Sequence, residues 1–307
     1  MKRLQQLTTE RRNRASENLD SMTALEMVSL MNREDAIVPR AIKKVLPDIA
    51  EAVDVIAASL AKGGRLFYVG AGTSGRIGAL DATEIHPTFG APAGMVQFVI
   101  AGGEAALTRA VEASEDSFDL GKSDMAARKP GKRDVIVGLA ASGRTPYAIS
   151  ALEYAARKGA TTIGIACNRG SELGSIAQHS IEVDVGPEVL TGSSRLKAGT
   201  AQKLICNMLT TCAMARLGYV YSNLMVNLHL KNEKLLERGI VIIETLARAD
   251  RATAIATLEE AGMSLPLALV MLIAKTGKRD AQQRLRKTKG NVRQAIEASA
   301  APSKSKR

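Results

Sequence analysis

The sequence has no tryptophan and few aromatic residues of any kind. Of its 307 residues, 46% are hydrophobic but only 3% are aromatic. The core must therefore consist of Ala, Val, Ile, Leu and Met, and this composition suits helices packed on a parallel sheet. A chain of this length can bury a full core and, beside it, a small second domain.

Cysteine and histidine are also scarce, and their spacing excludes some chemistry. The three cysteines, Cys167, Cys206 and Cys212, show no Cys-x-x-Cys spacing, which predicts thiols in a reducing compartment rather than a disulfide framework. The three histidines lie far apart and match no spacing of metal ligands, so no metal site is predicted.

The chain lacks the long apolar run that a membrane segment needs. Its N-terminus is charged, unlike a signal peptide. In the most apolar stretch, residues 204–230, Arg216 leaves each uncharged part shorter than the roughly 20 residues that span a bilayer. We therefore expect a cytoplasmic protein that has no membrane partner.

Acidic residues are outnumbered, because 42 Lys and Arg residues accompany 31 Asp and Glu residues and give a formal charge of +11. Much of the excess lies between Lys275 and Arg307, where eleven residues are basic and two are acidic. Such a run is typical of a solvated face and tail. Since aromatic residues are few and no recognition motif is present, nucleic acid is not a predicted partner.

Strand and helix patterns alternate through the middle of the chain. Apolar, β-branched runs predict five strands, at residues 65–70, 96–100, 134–139, 161–166 and 181–185. Helical patterns occupy residues 35–60, 75–86, 104–118, 146–158 and 171–178, and begin again at residue 197. Pro47 should kink or split the first helix, and Pro87 should end the second. The alternation predicts a doubly wound, parallel five-stranded α/β sheet.

Two of the predicted strands end in nearly the same loop. The first runs into Gly70-Ala-Gly-Thr-Ser-Gly-Arg76, and the third runs into Ala140-Ala-Ser-Gly-Arg-Thr145. Backbone N–H groups at a helix start, together with hydroxyl groups, can hold a phosphate. Both loops can line one crevice beyond the carboxyl ends of the strands. With a third loop, residues 191–197, they supply the predicted phosphate and sugar contacts: Thr73, Ser74, Gly75, Ser142, Gly143, Arg144, Thr145, Ser193, Ser194 and Lys197.

The first loop also fits the dinucleotide pattern G-x-G-x-x-G. A dinucleotide site needs an acidic residue near the end of the second strand to hold the ribose. Here that strand ends in Ile100-Ala-Gly-Gly103 without an acidic residue. A dehydrogenase is therefore disfavoured.

The loops belong to longer motifs that resemble those of the N-acetylmuramic acid 6-phosphate etherase family. The resemblance covers roughly residues 4–300 and rests on residues 70–84, 101–104, 111–116, 141–147, 191–203 and 223–226. One departure is Ile85-His86-Pro87, where the family pattern has a turn richer in proline. The family has the sugar isomerase (SIS) fold, which binds phosphosugars, so the resemblance implies that fold here.

The resemblance also implies an activity, that of a carbon–oxygen lyase in amino-sugar catabolism and cell-wall recycling. Its substrate would be N-acetylmuramic acid 6-phosphate, and its products N-acetylglucosamine 6-phosphate and D-lactate. In the open-chain sugar the C1 aldehyde acidifies the C2 proton, whose removal lets the C3 lactyl oxygen leave before water adds. Two carboxylates can serve as the base and the acid. No cofactor is needed.

The acidic positions that match the family are Glu84 and Glu115, which the resemblance implies as the catalytic pair. Which of them acts at C2 stays open. Glu188 is a further candidate contact, because other SIS enzymes have an acid near this loop, whereas Asp81 is expected to be structural. Four basic residues are candidates for holding the lactyl carboxylate: Arg76, Arg144, Arg195 and Lys197.

The patterns and the resemblance divide the chain into four parts. They are an N-terminal helical segment packing on the core, 1–60, the SIS phosphosugar-binding domain, 61–249, a small UBA-like helical module, 250–300, and a basic tail, 301–307. Because SIS domains often dimerise, we expect a homodimer, with a long apolar helix over residues 197–230 buried between the subunits.

Two other functions fit the same loops. A non-catalytic phosphosugar sensor, of the kind that the glucokinase regulatory protein represents, would keep the hydroxyl groups without needing both glutamates. A phosphosugar isomerase would move a proton between C1 and C2 and release no lactate. The presence of both glutamates, and of one SIS domain where that regulator has two, favours the etherase.

Overall fold

The computed structural model describes residues 7–109, 111, 114–228, 230 and 232–298. Its described residues form two compact units, one within Met1–Glu84 and Ala93–Ala213 and one within Ile85–Pro92 and Met214–Arg307. The predicted division into residues 1–60, 61–249 and 250–300 stays a prediction. The predicted basic tail lies outside the described residues.

The first unit contains a parallel sheet. Among the described residues its strands are β1 (Leu66–Gly70), β2 (Val96–Ile100), β3 (Val135–Ala140), β4 (Thr161–Ala166) and β5 (His179–Glu182). They lie in the order β2-β1-β3-β4-β5, and each neighbouring pair is parallel. The central strands are almost wholly buried, as expected for a sheet covered on both faces. The predicted doubly wound sheet is confirmed, although the fifth strand lies at residues 179–182 instead of 181–185.

Helices cover both faces of the sheet. Those on one face are α3 (Leu46–Ala61), α4 (Gly72–Phe89) and α8 (Lys197–Arg216), and those on the other are α5 (Phe118–Ala127), α6 (Pro146–Arg157) and α7 (Glu172–Ile176). Side chains alternate between the faces along each strand. The Tyr68 hydroxyl therefore reaches Asp81 of α4 and the Cys206 carbonyl of α8, at 2.9 and 3.3 Å. Phe67 packs on the opposite side with Met125 and its neighbours.

The predicted helix of residues 35–60 is split, as Pro47 suggested. After α1 (Ala24–Asp35), α2 (Ile37–Lys43) ends four residues before Pro47. Pro47 then lies in the first turn of α3, where its missing N–H group has no intrahelical partner to lose.

The segment before α1 contacts loops that follow distant strands. Asn168, just after β4, accepts a hydrogen bond from Thr8 N at 2.7 Å and donates one to Thr9 Oγ1 at 3.0 Å. Ser16 Oγ donates to the Val189 carbonyl at 2.7 Å, beyond β5. We call residues 7–16 the N-terminal strap, because they tie two loops at the carboxyl end of the sheet.

Two helix predictions need correction. The helix predicted over residues 75–86 is α4, which begins at Gly72 and continues to Phe89, so that Pro87 lies in its last turn instead of ending it. Of the helix predicted over residues 104–118, only Glu104–Leu107 forms a 3₁₀ turn, and residues 110, 112 and 113 lie outside the described residues. An α-helix begins where that prediction ended, because Ser117 caps α5 by accepting a hydrogen bond from Leu120 N.

The single helix predicted over residues 197–230 is wrong. Helix α8 ends at Arg216, and Gly218 follows with a positive φ of 85°, a common way to end a helix. A short hairpin of β6 (Val220–Tyr221) and β7 (Leu224–Met225) comes next. A subunit contact made by one continuous helix over these residues is therefore ruled out.

The second unit is mainly helical. After the β6–β7 hairpin it contains α9 (Glu233–Ala247), α10 (Arg251–Glu260), α11 (Leu265–Ile273), α12 (Lys278–Lys287) and α13 (Val292–Glu297). The last four lie in the region predicted to be helical, and α11 is at the centre of the core of this unit, with Ala268, Leu269 and Val270 fully buried. In the described part of the chain no single helix is long and apolar enough to cross a membrane, and α10 and α11 pass that test only as a pair bent by 118°.

Candidate active site

The carboxyl ends of β1 and β3 form the edge at which the candidate site lies. Strand order reverses between these two strands, and ligands of doubly wound sheets bind at such a point. The strands are close enough there that a Cβ placed on Gly70 would lie 2.9 Å from the Leu139 carbonyl oxygen. The loops that follow them, which were singled out from the sequence, are therefore neighbours.

The first loop joins β1 to α4 through a tight approach of two backbones. A Cβ on Gly75 would lie 2.6 Å from Ile100 Cγ1 and 2.7 Å from the Gly70 carbonyl oxygen, so only glycine fits. Thr73 is half-buried, whereas Ser74 is 8% exposed and donates its hydroxyl proton to Gln202 Oε1 at 2.9 Å. The loop thus directs the start of α4 towards the sheet edge.

The second loop has the geometry of an anion cradle. Gly143 has a positive φ of 71°, and a Cβ there would meet Ser171 Cβ at 2.3 Å. The Arg144 N–H bonds to Ser142 Oγ at 3.2 Å, and α6 begins two residues later at Pro146. Thr145 occupies the N-cap position of α6, although its side chain makes no capping hydrogen bond within the described residues.

The third loop lies beside the first. An ideal Cβ on Gly199, in the first turn of α8, would lie 3.7 Å from Thr73 Cγ2 and 3.6 Å from the Ser194 carbonyl oxygen. That carbonyl accepts a hydrogen bond from Gly199 N at 3.0 Å, and Ser193 and Ser194 are half-buried. Thr73 and the backbone of Ser194 therefore both lie next to Gly199.

Two residues predicted to contact substrate are instead engaged within the protein. The Glu188 carboxylate is fully buried and accepts hydrogen bonds from Lys197 N and Ala198 N, at 3.0 and 2.9 Å. It caps the N-terminus of α8, and burial raises the pKa of this carboxyl although both N–H donors lower it. Lys197 is 1% exposed and its Nζ lies 2.7 Å from Glu34 Oε2. This geometry argues against direct substrate contacts for Glu188 and Lys197.

Glu34 is a residue that the sequence analysis missed. Its Oε2 also accepts a hydrogen bond from Asn13 Nδ2 at 2.8 Å, so Glu34 links α1, α8 and the N-terminal strap. Burial raises the pKa of Glu34, but the hydrogen bonds from Lys197 and Asn13 outweigh it, and the pKa lies below its ordinary value. The ion pair joins positions 163 residues apart, and no local pattern could have indicated it.

Asp81 has the structural environment that was predicted for it. Within the α4–α8 interface its carboxylate accepts hydrogen bonds from Tyr68, Asn207 and Thr210, at 2.9, 2.6 and 3.1 Å. Burial raises its pKa against the effect of these donors. The network fixes α4 relative to α8, and with them the first loop relative to the third.

The predicted catalytic pair lies on separate elements, with Glu84 near the end of α4 and Glu115 in the segment before α5. The Glu115 carbonyl accepts a hydrogen bond from Tyr147 N at 3.1 Å, which places this residue at the start of α6 beside the second loop. Glu84 lies eleven residues after Thr73 on α4, and at about 1.5 Å per residue the two are about 16 Å apart along the helix. Both glutamates are exposed.

The arginines differ in how they are engaged. Arg76 donates to the carbonyl oxygens of Ala106 and Arg109, at 2.8 and 3.0 Å, and so ties α4 to the segment after β2. Arg195 lies on the third loop and is exposed. Arg144 and Ser142 line a cavity of about 660 Å³, whose other walls come from the N-terminal strap and from residues 170–182. That cavity does not include the first or the third loop.

Family models define the class of protein. The model of the glucokinase regulatory protein N-terminal SIS domain matches residues 48–156, and that of the SIS domain matches residues 123–212. Together with the sheet order and the loops at its edge, these matches define a protein with an SIS domain. A solved phosphoheptose isomerase from Francisella tularensis also superposes on 62% of this chain and 100% of its own, with a TM-score of 0.48 and 17% identity.

Curated relatives narrow the class. An N-acetylmuramic acid 6-phosphate etherase from Actinobacillus pleuropneumoniae is 50% identical over 293 residues, which cover 95% of this chain and 96% of that one. The etherase from Oenococcus oeni is 51% identical over 293 residues, covering 95% and 99%. The chain therefore belongs to the N-acetylmuramic acid 6-phosphate etherase family.

Proposed function

We propose that this chain cleaves the lactyl ether of N-acetylmuramic acid 6-phosphate and releases N-acetylglucosamine 6-phosphate and D-lactate. The observation that carries the proposal is identity of 50% and 51% to two etherases over 95% of the chain. The clustering of hydroxyl-bearing loops at the β1–β3 edge supports it, because a sugar phosphate needs both an anion site and hydroxyl partners.

The first two loops are the proposed phosphate and sugar contacts. Each lies where a helix starts, so that free backbone N–H groups and the positive end of the helix dipole can attract an anion. Thr73, Ser142 and Thr145 are half-buried there, and Ser194 adds a hydroxyl from the third loop. Gly75 and Gly143 serve by letting the backbone approach closely.

Glu84 and Glu115 are the proposed acid–base pair. One carboxylate takes the C2 proton, made acidic by the C1 aldehyde of the open-chain sugar. The electrons of that bond form the C2–C3 double bond as the C3–oxygen bond breaks, and the lactyl oxygen takes a proton from the other carboxyl. Water then adds at C3 of the unsaturated aldehyde, and the C2 position is reprotonated.

We further propose that the enzyme is a homodimer in which Glu84 reaches the site of the other chain. Its separation of about 16 Å from Thr73 along α4 exceeds the distance from the phosphate to C2 in a hexose 6-phosphate. Leu80, one turn before Glu84, is 55% exposed, which gives this part of α4 the apolar surface that a subunit contact needs.

For the lactyl carboxylate we favour the arginines that the second and third loops carry. Lys197 is paired with Glu34, and Arg76 is engaged with two carbonyl groups. Arg144 on the second loop and Arg195 on the third lie where a substrate anchored by its phosphate can present its carboxylate. We propose that one of these two guanidinium groups holds it, since arginine binds carboxylates through paired hydrogen bonds.

We also propose that residues 61–249 form the phosphosugar-binding domain and residues 250–300 a separate helical module. Helices α10–α13 pack together in a core that also includes Ile240, Ile242 and Ile243 of α9, so the packing supports a helical module that begins before residue 250. A cytoplasmic location is proposed because the three cysteines are unpaired, with Cys212 exposed, which suits a reducing compartment.

Lactate release from N-acetylmuramic acid 6-phosphate by the purified protein tests the activity. Glu84→Gln should lower the turnover by about 10²–10⁴-fold, the usual contribution of a general acid or base, while binding of N-acetylglucosamine 6-phosphate is kept. A wild-type protein that binds the sugar phosphate without releasing lactate would be a sensor, and one that forms a ketose phosphate would be an isomerase. Either result would refute the proposal.

A further inference from the structure

The α4–α8 interface contains a glutamine whose amide oxygen has a hydrogen-bond partner but whose amide nitrogen has none among the described residues. Gln202 is 1% exposed, and its Oε1 accepts the hydroxyl proton of Ser74. Its Nε2 is the one buried side-chain nitrogen or oxygen without a hydrogen-bond partner in the described part of the chain. Unpaired buried donors are rare and costly, so this one calls for a functional explanation.

The surroundings of Gln202 restrict what its amide can reach. Gly199 lies one turn earlier on α8, and its ideal Cβ would contact Thr73 Cγ2 and Ile77 Cδ1 at 3.7 and 3.6 Å. This face of α8 therefore packs on the first turns of α4, with Ser74 as the polar group that bonds to Gln202. Rotating the amide by half a turn exchanges its oxygen and nitrogen, so that Nε2 donates to Ser74 Oγ.

The two orientations of the amide give Ser74 opposite roles. When Gln202 Oε1 accepts the Ser74 proton, the hydroxyl can offer a ligand only its lone pairs. When Gln202 Nε2 donates to Ser74 Oγ, the hydroxyl proton is released to another acceptor. A hydroxyl whose oxygen accepts a hydrogen bond is also a stronger donor, because neighbouring hydrogen bonds polarise one another.

We propose that Gln202 is a positioning residue that turns the Ser74 hydroxyl proton towards a phosphate oxygen of the bound substrate. The inference rests on the proposed function, because it needs a sugar phosphate at the first loop. In this arrangement the orientation in which Oε1 accepts the Ser74 proton is the resting state, and the bound anion is what makes the turned amide favourable. Gln202 itself need not touch the substrate.

A double-mutant cycle on binding of N-acetylglucosamine 6-phosphate, followed by calorimetry, tests the inference. Ser74→Ala should weaken binding by about tenfold to a hundredfold, the loss of one hydrogen bond to a charged group. Gln202→Met, which keeps the length of the side chain but removes its amide, should weaken binding by about three- to tenfold. Since Gln202 acts through Ser74, the double variant should bind as Ser74→Ala alone does.

Two further variants distinguish the positioning role of Gln202 from a general effect on the packing of α4 against α8. Asn207→Ala also removes a hydrogen bond between α8 and α4, at Asp81, but does not touch Ser74. Its effect on binding should multiply with that of Ser74→Ala. Gln202→Asn shortens the amide beyond reach of Ser74 and should reproduce the effect of Gln202→Met, with thermal unfolding confirming that each variant is folded.

The outcomes separate this inference from the proposed function. If the effects of Gln202→Met and Ser74→Ala multiply, the positioning role is refuted even when the wild type releases lactate. If they do not multiply but the wild type releases no lactate, the inference stands and the activity is refuted. A wild-type protein that fails to bind the sugar phosphate would refute both.

Discussion

The origin of the two catalytic glutamates can be decided by mixing inactive variants. Glu84→Gln and Glu115→Gln should each lower lactate release by about 10²–10⁴-fold. Glu84 is exposed, so Glu84→Gln should change the free energy of unfolding by no more than about 0.5 kcal/mol. The two variants can then be co-expressed with different tags, so that mixed dimers form and can be isolated.

The fraction of lactate release that a mixed dimer should recover follows from the number of intact active sites. If each site takes Glu84 from one chain and Glu115 from the other, a mixed dimer has one intact site and one site that lacks both. Random pairing of equal amounts makes about half of the dimers mixed, so roughly a quarter of all sites should be intact. Purified mixed dimers should therefore reach about half of the wild-type rate of lactate release.

Inactive mixed dimers would refute the assignment of the two glutamates to different chains. If both glutamates of a site come from the same chain, every site in a mixed dimer lacks one of them, and no activity returns. The chain would then have to move so that Glu84 crosses the separation of about 16 Å from Thr73 along α4. Each variant, co-expressed with a differently tagged copy of itself, is the control for subunit exchange and for contaminating activity.

Four other outcomes are expected. Leu80→Asp should give folded monomers in sedimentation and lose lactate release, whereas a fully active dimer would remove this surface from the interface. Glu34→Ala should lower the free energy of unfolding in urea by about 3–5 kcal/mol because it leaves Lys197 buried and unpaired, and adding Lys197→Met should restore most of the loss. Gly75→Ala should destabilise the fold by about 1–3 kcal/mol and abolish sugar-phosphate binding, since its Cβ has no room. The pKa of Glu34 is lowered in the folded chain, so the ionised carboxylate stabilises the fold at neutral pH. This stabilisation is lost as the pH falls below 4.5 and then below the pKa of Glu34 in the folded chain. In the double variant Glu34→Gln/Lys197→Met, the free energy of unfolding should not show this loss at acid pH.

The strands and their order of connection were predictable because their signals are local. Apolar, β-branched runs ending in small residues located β1 to β4 within one residue at either end. The two loops at the β1–β3 edge followed from the rule that parallel strands share a carboxyl end. Helix ends were less predictable, because Ser117 at the start of α5 and Gly218 after α8 determine them through single side-chain or backbone conformations.

The contacts within the site were less predictable, because they depend on the tertiary fold: Lys197 pairs with a residue 163 positions away, and Glu188 caps a helix only after the intervening loop has folded back. Nothing local to Lys197 shows that Glu34 neutralises it, and nothing local to Glu188 shows that it caps α8. Both were predicted as substrate contacts because they are charged residues in or near a predicted binding loop. Burial and pairing, which only the folded chain shows, assign them to the framework.

The N-terminal strap has a consequence for how the chain folds during synthesis. Thr9 leaves the ribosome long before its partner Asn168, and Ser16 long before Val189. Contacts at such sequence separation form late, because the intervening chain must first be ordered. The strap residues are therefore made well before the loops that fix them, and the Ser16 hydroxyl cannot bond to Val189 until synthesis has passed β5 and reached that residue.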